Sequence, residues 1–263
     1  MPQRLGIATD PESPIKESAV MELAGKTALV TGGATGIGWG IARALAAAGC
    51  RVAISGRRED ALRSAVASWS GSPAIAWQVC DVANRESVRQ LFAWTATTLG
   101  PLDILVNSAG TNIKTRSMAE MLPEQWDEVM AINATGVYNC MYFALPGMRA
   151  KRDGLIINIS SISGKRAAPL GGVAYDASKF AASALGTAAW NEEAPNGIRI
   201  TNVFPGEVNT PILEKRPAPV SEERKAKMLL PEDIADMVLA IARLPARAHV
   251  PEIIIKPTAQ DYV

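Results

Sequence analysis

The sequence predicts an α/β fold: one domain built on a doubly wound, seven-stranded parallel sheet with helices on both faces. Two observations predict it. Short apolar, β-rich runs alternate along the chain with longer stretches of helical pattern. Those runs are continuously apolar and lack period-two alternation, as strands do when helices cover both faces of their sheet. No repeat or low-complexity linker divides the 263 residues, so one large α/β domain is the simplest count.

Residues 1–21 hold Pro2, Pro11 and Pro14 among polar residues and show no periodicity. They are expected to be a flexible extension, with a packed oligomer arm as the alternative, ahead of a domain over residues 22–263. The first strand, Ala28–Val30, runs into Thr31-Gly32-Gly33-Ala34-Thr35-Gly36-Ile37-Gly38, and a helix follows. Glycines let the backbone turn tightly and approach a bound pyrophosphate, whose charge is drawn to the free N–H groups and dipole at the helix start. The strand-turn-helix context is the one a dinucleotide-binding turn requires, although the spacing differs from the common G-x-G-x-x-G.

The second strand, Val52–Ser55, leads to Gly56-Arg57-Arg58. An acid after this strand would bind the adenosine ribose hydroxyls and repel a 2′-phosphate. Gly56 stands there instead, with two guanidinium forks beside it, which favours NADP over NAD. Solvated loop charges are the alternative, and Glu59 and Asp60 lie close by. The next strands are Ala74–Val79, Ile104–Asn107 and Leu155–Ser160. Ligands bind beyond the carboxyl ends of such strands, so the Gly32 turn, the residues after Ser55, Asp81, Asn107 and Ser160–Ser163 are expected along one edge.

Ahead of the sixth strand, Ile198–Phe204, Tyr175-Asp176-Ala177-Ser178-Lys179 places a phenol and an ammonium on one helix face. A phenol ionises near pH ~10, and a close lysine cation favours the phenolate, so Tyr175 is a candidate acid or base. The bland alternative is an ordinary surface helix. Next, Glu214–Arg224 is charged and proline-containing, as a lid ahead of a helix near Arg224–Leu229 would be, or a solvated loop. The last strand is Glu252–Ile255.

Composition narrows the function. A net charge of +1 gives no electrostatic case for nucleic acid. Cys50, Cys80 and Cys140 are too scattered for a disulfide framework or zinc cluster and are expected to be buried apolar residues, and the sole histidine, His249, cannot build a multi-histidine metal site. No long apolar run or signal-peptide pattern occurs, so a cytoplasmic protein without a membrane segment is expected. No G-x-S-x-G is present for a serine hydrolase.

Together these motifs resemble the short-chain dehydrogenase/reductase family, from about Leu23 to the C-terminus. Thr31-Gly32-x-x-x-Gly36-Ile37-Gly38 is similar to its cofactor loop, Asn107-Ser108-Ala109-Gly110 to its N-N-A-G turn, and Tyr175-x-x-x-Lys179 to its catalytic pair. Pro205-Gly206-Glu207-Val208-Asn209-Thr210-Pro211 is similar to its P-G-x-x-x-T segment, and His249–Gln260 to the ending of bacterial NADP-dependent 3-hydroxy acid and serine dehydrogenases. The resemblance implies a Rossmann fold and hydride transfer between a nicotinamide cofactor and a carbonyl or alcohol. It implies cofactor contacts from Gly32, Thr35, Gly36, Ile37, Gly38, Tyr175, Lys179, Pro205, Gly206 and Val208. Asp81 and Val82 are then expected at the adenine, Asn107, Ala109 and Gly110 on the adenosine side, and Thr210 at the nicotinamide amide.

For the chemistry, Tyr175 is expected to donate the proton in reduction and accept it in oxidation, while Lys179 lowers its pKa and bonds the nicotinamide ribose. Asn133 resembles the family's helix asparagine that holds a water of a proton relay; by residue type alone it reads as a locally bonded or solvent-facing side chain. A serine after the fifth strand should anchor the oxygen. The position thirteen before Tyr175 is Ile162, whereas a serine-x-x-glycine pattern selects Ser161 with Gly164, leaving Ser163 in reserve and one extra residue in the loop Lys165–Ala174.

Leu170, Val173 and Ile212 are candidates for an apolar substrate wall, and Glu207 for contact with a polar or cationic substrate. Family members commonly form tetramers through long helices, here Pro123–Met148 and Tyr175–Glu193, so a homotetramer is expected, with a dimer next. The competing functions are an NAD-dependent alcohol or polyol dehydrogenase working oxidatively and a non-catalytic dinucleotide-binding sensor. The joint presence of Asn133, Ser161, Tyr175 and Lys179 argues against the sensor.

Overall fold

A computed structural model describes residues 22–261, so the extension expected at residues 1–21 lies outside the described residues. Strands β1 (Thr27–Thr31), β2 (Arg51–Gly56), β3 (Ala76–Val79), β4 (Ile104–Asn107), β5 (Gly154–Ile159), β6 (Ile198–Pro205) and β7 (Glu252–Ile255) form one parallel sheet in the order β3-β2-β1-β4-β5-β6-β7. The strand order reverses at β1, and the crevice beyond the ends of β1 and β4 is where such a sheet binds ligands.

Successive strand residues point to opposite faces. Ala28, Val30, Ile54, Val106 and Ile157 enter one core with Ile41 and Leu45 of α1 (Gly36–Ala47), Leu62 of α2 (Glu59–Ala67) and Ile234 and Val238 of α8 (Pro231–Ala242). Leu29, Ala53, Leu105 and Ile156 enter the other with Leu91 of α3 (Arg85–Leu99), Met148 of α5 (Gly136–Lys151) and Ala182 of α6 (Val173–Glu193). Because both faces are covered, every residue of β1, β4, β5 and β6 is buried, which is why these strands read as continuous apolar runs.

Two elements differ from the sequence expectation. The helix expected near Arg224–Leu229 is α7, Glu222–Lys225, because Ser221 caps it by accepting the Arg224 N–H at 3.2 Å. Leu229 instead forms a parallel bridge with Val208. The long helix expected over Pro123–Met148 is α4 (Pro123–Met130) and α5 joined through a π-helical segment, Ala131–Thr135, with Asn133 at its centre. Such segments occur often at functional sites, and no residue pattern announced this one.

Candidate active site

At the end of β1 the chain turns through Gly32 at φ 63°, where a Cβ would stand 2.7 Å from the Ala109 nitrogen. Only glycine fits there. Thr31 Oγ1 accepts the N–H groups of Ser108 (3.2 Å) and Ala109 (3.3 Å), tying the turn after β4 to the turn after β1. Thr35 precedes α1 without a side-chain cap, and no carboxylate stands in the first turn. Those N–H groups and the helix dipole fit a pyrophosphate. Gly36, at φ 54°, faces Thr210, so the start of α1 and the segment after β6 close on each other.

One cleft of ≈ 670 Å³ runs from here along the sheet edge. It is lined by the expected residues Gly32, Thr35, Gly36, Ile37, Gly38, Arg57, Arg58, Asp81, Val82, Ala109 and Gly110, and further along by Ser161, Tyr175, Lys179, Pro205, Gly206, Val208 and Thr210. The side chains of Arg57 and Arg58 are exposed and make no hydrogen bond or ion pair among the described residues. Asn107 departs from expectation. It does not line the cleft but is buried and donates to Asn158 Oδ1 at 2.9 Å, and Asn158 donates to Asn202 Oδ1 at 3.2 Å, a polar row across β4, β5 and β6 at one register.

The catalytic candidates meet at the middle of the cleft. Tyr175 and Lys179 share a face of α6, with Lys179 Nζ 5.6 Å from the phenol ring centre. Burial raises the Tyr175 pKa, and the chief opposing influence is the Ser161 hydroxyl. Desolvation outweighs the nearby charges, and Lys179 is not among the main influences on this pKa. Burial also pushes Lys179 down to about 8, and its Nζ donates to the Ile159 carbonyl at 2.9 Å. An ammonium has three donors, so two remain for the cleft side, where a ribose hydroxyl is the matching partner.

The three serines after β5 have separate partners. Ser160 is buried against the Ser183 hydroxyl at 2.9 Å, Ser163 lies near Asp176 and lowers its pKa, and Ser161, whose Oγ accepts the Ser163 N–H at 3.1 Å, lowers that of the Tyr175 phenol. Asn133 Oδ1 accepts the Thr111 N–H at 2.8 Å, and its amide donates to the Thr111 carbonyl at 2.9 Å and to Ser178 Oγ at 3.0 Å. That side chain has spent its donors on protein and fixes the loop after β4 against α6.

The substrate end corrects the expectation for Glu207. Its carboxylate meets Arg216 at 2.6 Å and Arg224 at 2.8 Å, contacts that outweigh burial and hold its pKa below the usual range. It thus straps the segment after β6 and is committed to protein cations. Leu170 and Ile212 line the cleft, but Val173 does not. Sequence reasoning missed Arg116, which lines the cleft and donates to the carbonyls of Ile113 (3.0 Å), Lys215 (2.9 Å) and Leu170. It missed Asp176 as well, whose Oδ2 takes the Ala168 N–H at 2.8 Å. Arg116 stands in no motif, and Asp176 fills an unspecified position of Tyr175-x-x-x-Lys179.

Elsewhere, Cys50, Cys80 and Cys140 are buried free thiols, and His249 bonds the Ile200 carbonyl at 2.9 Å and lies against Trp190, a structural role. Among the described residues no helix is long and apolar enough to cross a membrane, and no cluster of three or more His, Cys, Asp or Glu side chains fits a metal.

Comparison with known proteins agrees with this geometry. Residues 26–220 match the short chain dehydrogenase family. The chain is 37% identical to the acetoacetyl-CoA reductase of Rhizobium meliloti (strain 1021) over 223 residues, covering 82% of this chain and 90% of that one. It is also 37% identical over 242 residues to glycine betaine reductase ATRR of Emericella nidulans, but spans only 19% of that protein against 89% of its own length. An alcohol dehydrogenase from the archaeon Thermococcus sibiricus complexed with 5-hydroxy-NADP superposes with a TM-score of 0.81 at 28% identity, covering 90% of this chain and 99% of that one. The seven-stranded sheet, the glycine turn and the family match agree: this chain belongs to the short-chain dehydrogenase/reductase family and is an oxidoreductase built for a nicotinamide dinucleotide.

Proposed function

We propose that the protein is an NADP-dependent oxidoreductase that interconverts a carbonyl and a secondary alcohol. The observation that carries this reading is the grouping of Ser161, Tyr175 and Lys179 in one cleft with the uncapped start of α1, with Lys179 Nζ 5.6 Å from the phenol ring centre. The bound nicotinamide supplies or takes the hydride. Ser161 holds the substrate oxygen, and Tyr175 delivers a proton to that oxygen in reduction or removes it in oxidation. A phenol with a raised pKa is protonated at neutral pH, which suits the reductive direction. Lys179 positions the ribose, and Asn133 positions the loop after β4.

Arg57 and Arg58 support the NADP preference, since two unpaired guanidinium groups after β2 complement a 2′-phosphate. Tyr138, Tyr142 and Phe180 are exposed on α5 and α6 and support helix pairing in a homotetramer, or failing that a dimer. The expected location remains cytoplasmic. The test is titration with NADPH and NADH by nicotinamide fluorescence, followed by a carbonyl and alcohol panel read at ~340 nm, the absorbance of the reduced nicotinamide. Tighter NADPH binding with turnover is expected. Tighter NADH binding with alcohol oxidation alone would favour an NAD-dependent alcohol or polyol dehydrogenase, and binding without turnover a dinucleotide sensor.

A further inference from the structure

Three arginines gather at the substrate end of the cleft around one carboxylate. Glu207 bridges Arg216 and Arg224, and its side chain and that of Arg216 are only 12% and 13% exposed. Arg116 stands beside them with no carboxylate within ion-pair distance among the described residues.

The placement of Arg116 is built into the fold. Its stem lies against Gly172, which has φ 84° and where a Cβ would stand 2.6 Å from the Arg116 Cβ. Its own carbonyl accepts the Val173 N–H at 3.2 Å, which ties it to the start of the helix that carries Tyr175. The three carbonyls of Ile113, Leu170 and Lys215 orient the guanidinium without neutralising it. A guanidinium has five N–H donors, so two are left. Burial first and then the neighbouring Arg216 lower the Arg116 pKa, and the opposing pull of Tyr175 and Asp176 does not make up the difference. Asp176 attracts it from beyond ion-pair distance, with Oδ2 taken by the Ala168 N–H and Oδ1 without a hydrogen-bond partner among the described residues.

Bringing like charges together in a half-buried cleft is unfavourable unless an anion completes the set. We infer that the substrate carries a carboxylate close to its reacting carbon, and that Arg116 binds it. A planar fork matches a carboxylate in two-point contact, and the position of Arg116 at the first turn of α6 calls for a short oxo or hydroxy acid. A neutral carbonyl compound of the same size leaves Arg116 uncompensated and binds more weakly. This inference rests on the substrate site assigned under the proposed function.

The experiment compares short 2-, 3- and 4-hydroxy acids with their primary amides by thermal-unfolding shift, on the protein alone and with NADPH or NADP+ at saturation. Matched oxo acids and oxo amides are then compared by nicotinamide absorbance. At least one acid is expected to bind about tenfold or more tightly than its amide, a modest fraction of what a buried charge pair contributes. That ratio should fall to about twofold or less in Arg116→Gln and lie between in Arg116→Lys. Taking the ratio within each variant cancels any general loosening of the three loops. Amides binding as well as acids throughout, or an acid preference that survives in Arg116→Gln, would overturn the inference. Loss of dinucleotide binding would strike the proposed function instead, and the coenzyme-free acid and amide comparison still decides this one.

Discussion

The two ends of the cleft treat their arginines in opposite ways. At the coenzyme end Arg57 and Arg58 project from the turn after β2 into solvent, without partners among the described residues. At the substrate end Arg116, Arg216 and Arg224 are held by carbonyls and by Glu207. The first pair is poised to meet a ligand charge at little desolvation cost, while the second group has its geometry fixed before anything binds. A solvated charge contributes mainly selectivity between related ligands, whereas a pre-organised, half-buried one contributes affinity and orientation. The catalytic face of α6 lies between the two, and the ends can be perturbed separately.

The largest expected effect isolates the chemistry. Tyr175→Phe keeps the ring and deletes the proton, so kcat should fall by about a hundredfold or more. Affinity for NADPH, measured by fluorescence titration, should stay within about twofold. Retention of more than about a tenth of the activity would remove Tyr175 from the role of essential acid.

Ser161→Ala and Ser163→Ala sharpen the middle of the cleft. The first loses the hydroxyl near the phenol and should lower kcat/KM by about tenfold or more, as deleting one transition-state hydrogen-bond donor does. The second loses a hydroxyl near Asp176 and should cost less activity. The reverse order would move the oxygen anchor to Ser163.

Arg57→Ala tests the solvated end. It should weaken NADPH by about tenfold, the scale of one charge-assisted contact, while barely changing NADH. Equal weakening of both would show that Arg57 does not read the 2′-phosphate, and the contrast between the two ends would lose one side.

The last effect is on stability and not on turnover, and concerns Lys179, whose pKa is about 8 in the folded protein against an ordinary value of 10.5. Between those values the unfolded chain binds more protons, so wild-type stability rises with pH across that window and the penalty of burying the charge is full below pH ~8. Lys179→Met should therefore stabilise the protein at neutral pH by about 2 kcal/mol, after allowing for the lost bond to Ile159. Urea unfolding at several pH values should show that advantage shrinking above pH ~8, while activity is lost throughout. An unchanged difference across the range would mean that the ammonium is not strained by burial.

Much of the coenzyme end was legible before the fold was known. The glycine turn, Arg57 and Arg58, and the Tyr175 and Lys179 pair each lie within a single turn or helix, where spacing along the chain sets spacing in space. The choice between Ser161 and Ser163 was half legible, because the motif offered both and only the groups each lies near, Tyr175 and Asp176, distinguish them. Asn107 was misjudged because its motif says nothing about Asn158 and Asn202, which turn its side chain into the sheet.

The chain's residue pattern was thus enough to determine the parallel sheet, its two buried faces, the glycine turn after β1 and the shared helix face of Tyr175 and Lys179. Tertiary structure alone decided that Glu207 serves Arg216 and Arg224, that Asn133 lies in a π-helical segment bound to Thr111, and that Arg116 stands over the substrate end. Arg116 reaches Leu170 across 54 residues and Lys215 across 99. Contacts over such separations follow from how loops on neighbouring strands meet at the sheet edge, and no local periodicity or motif encodes that meeting.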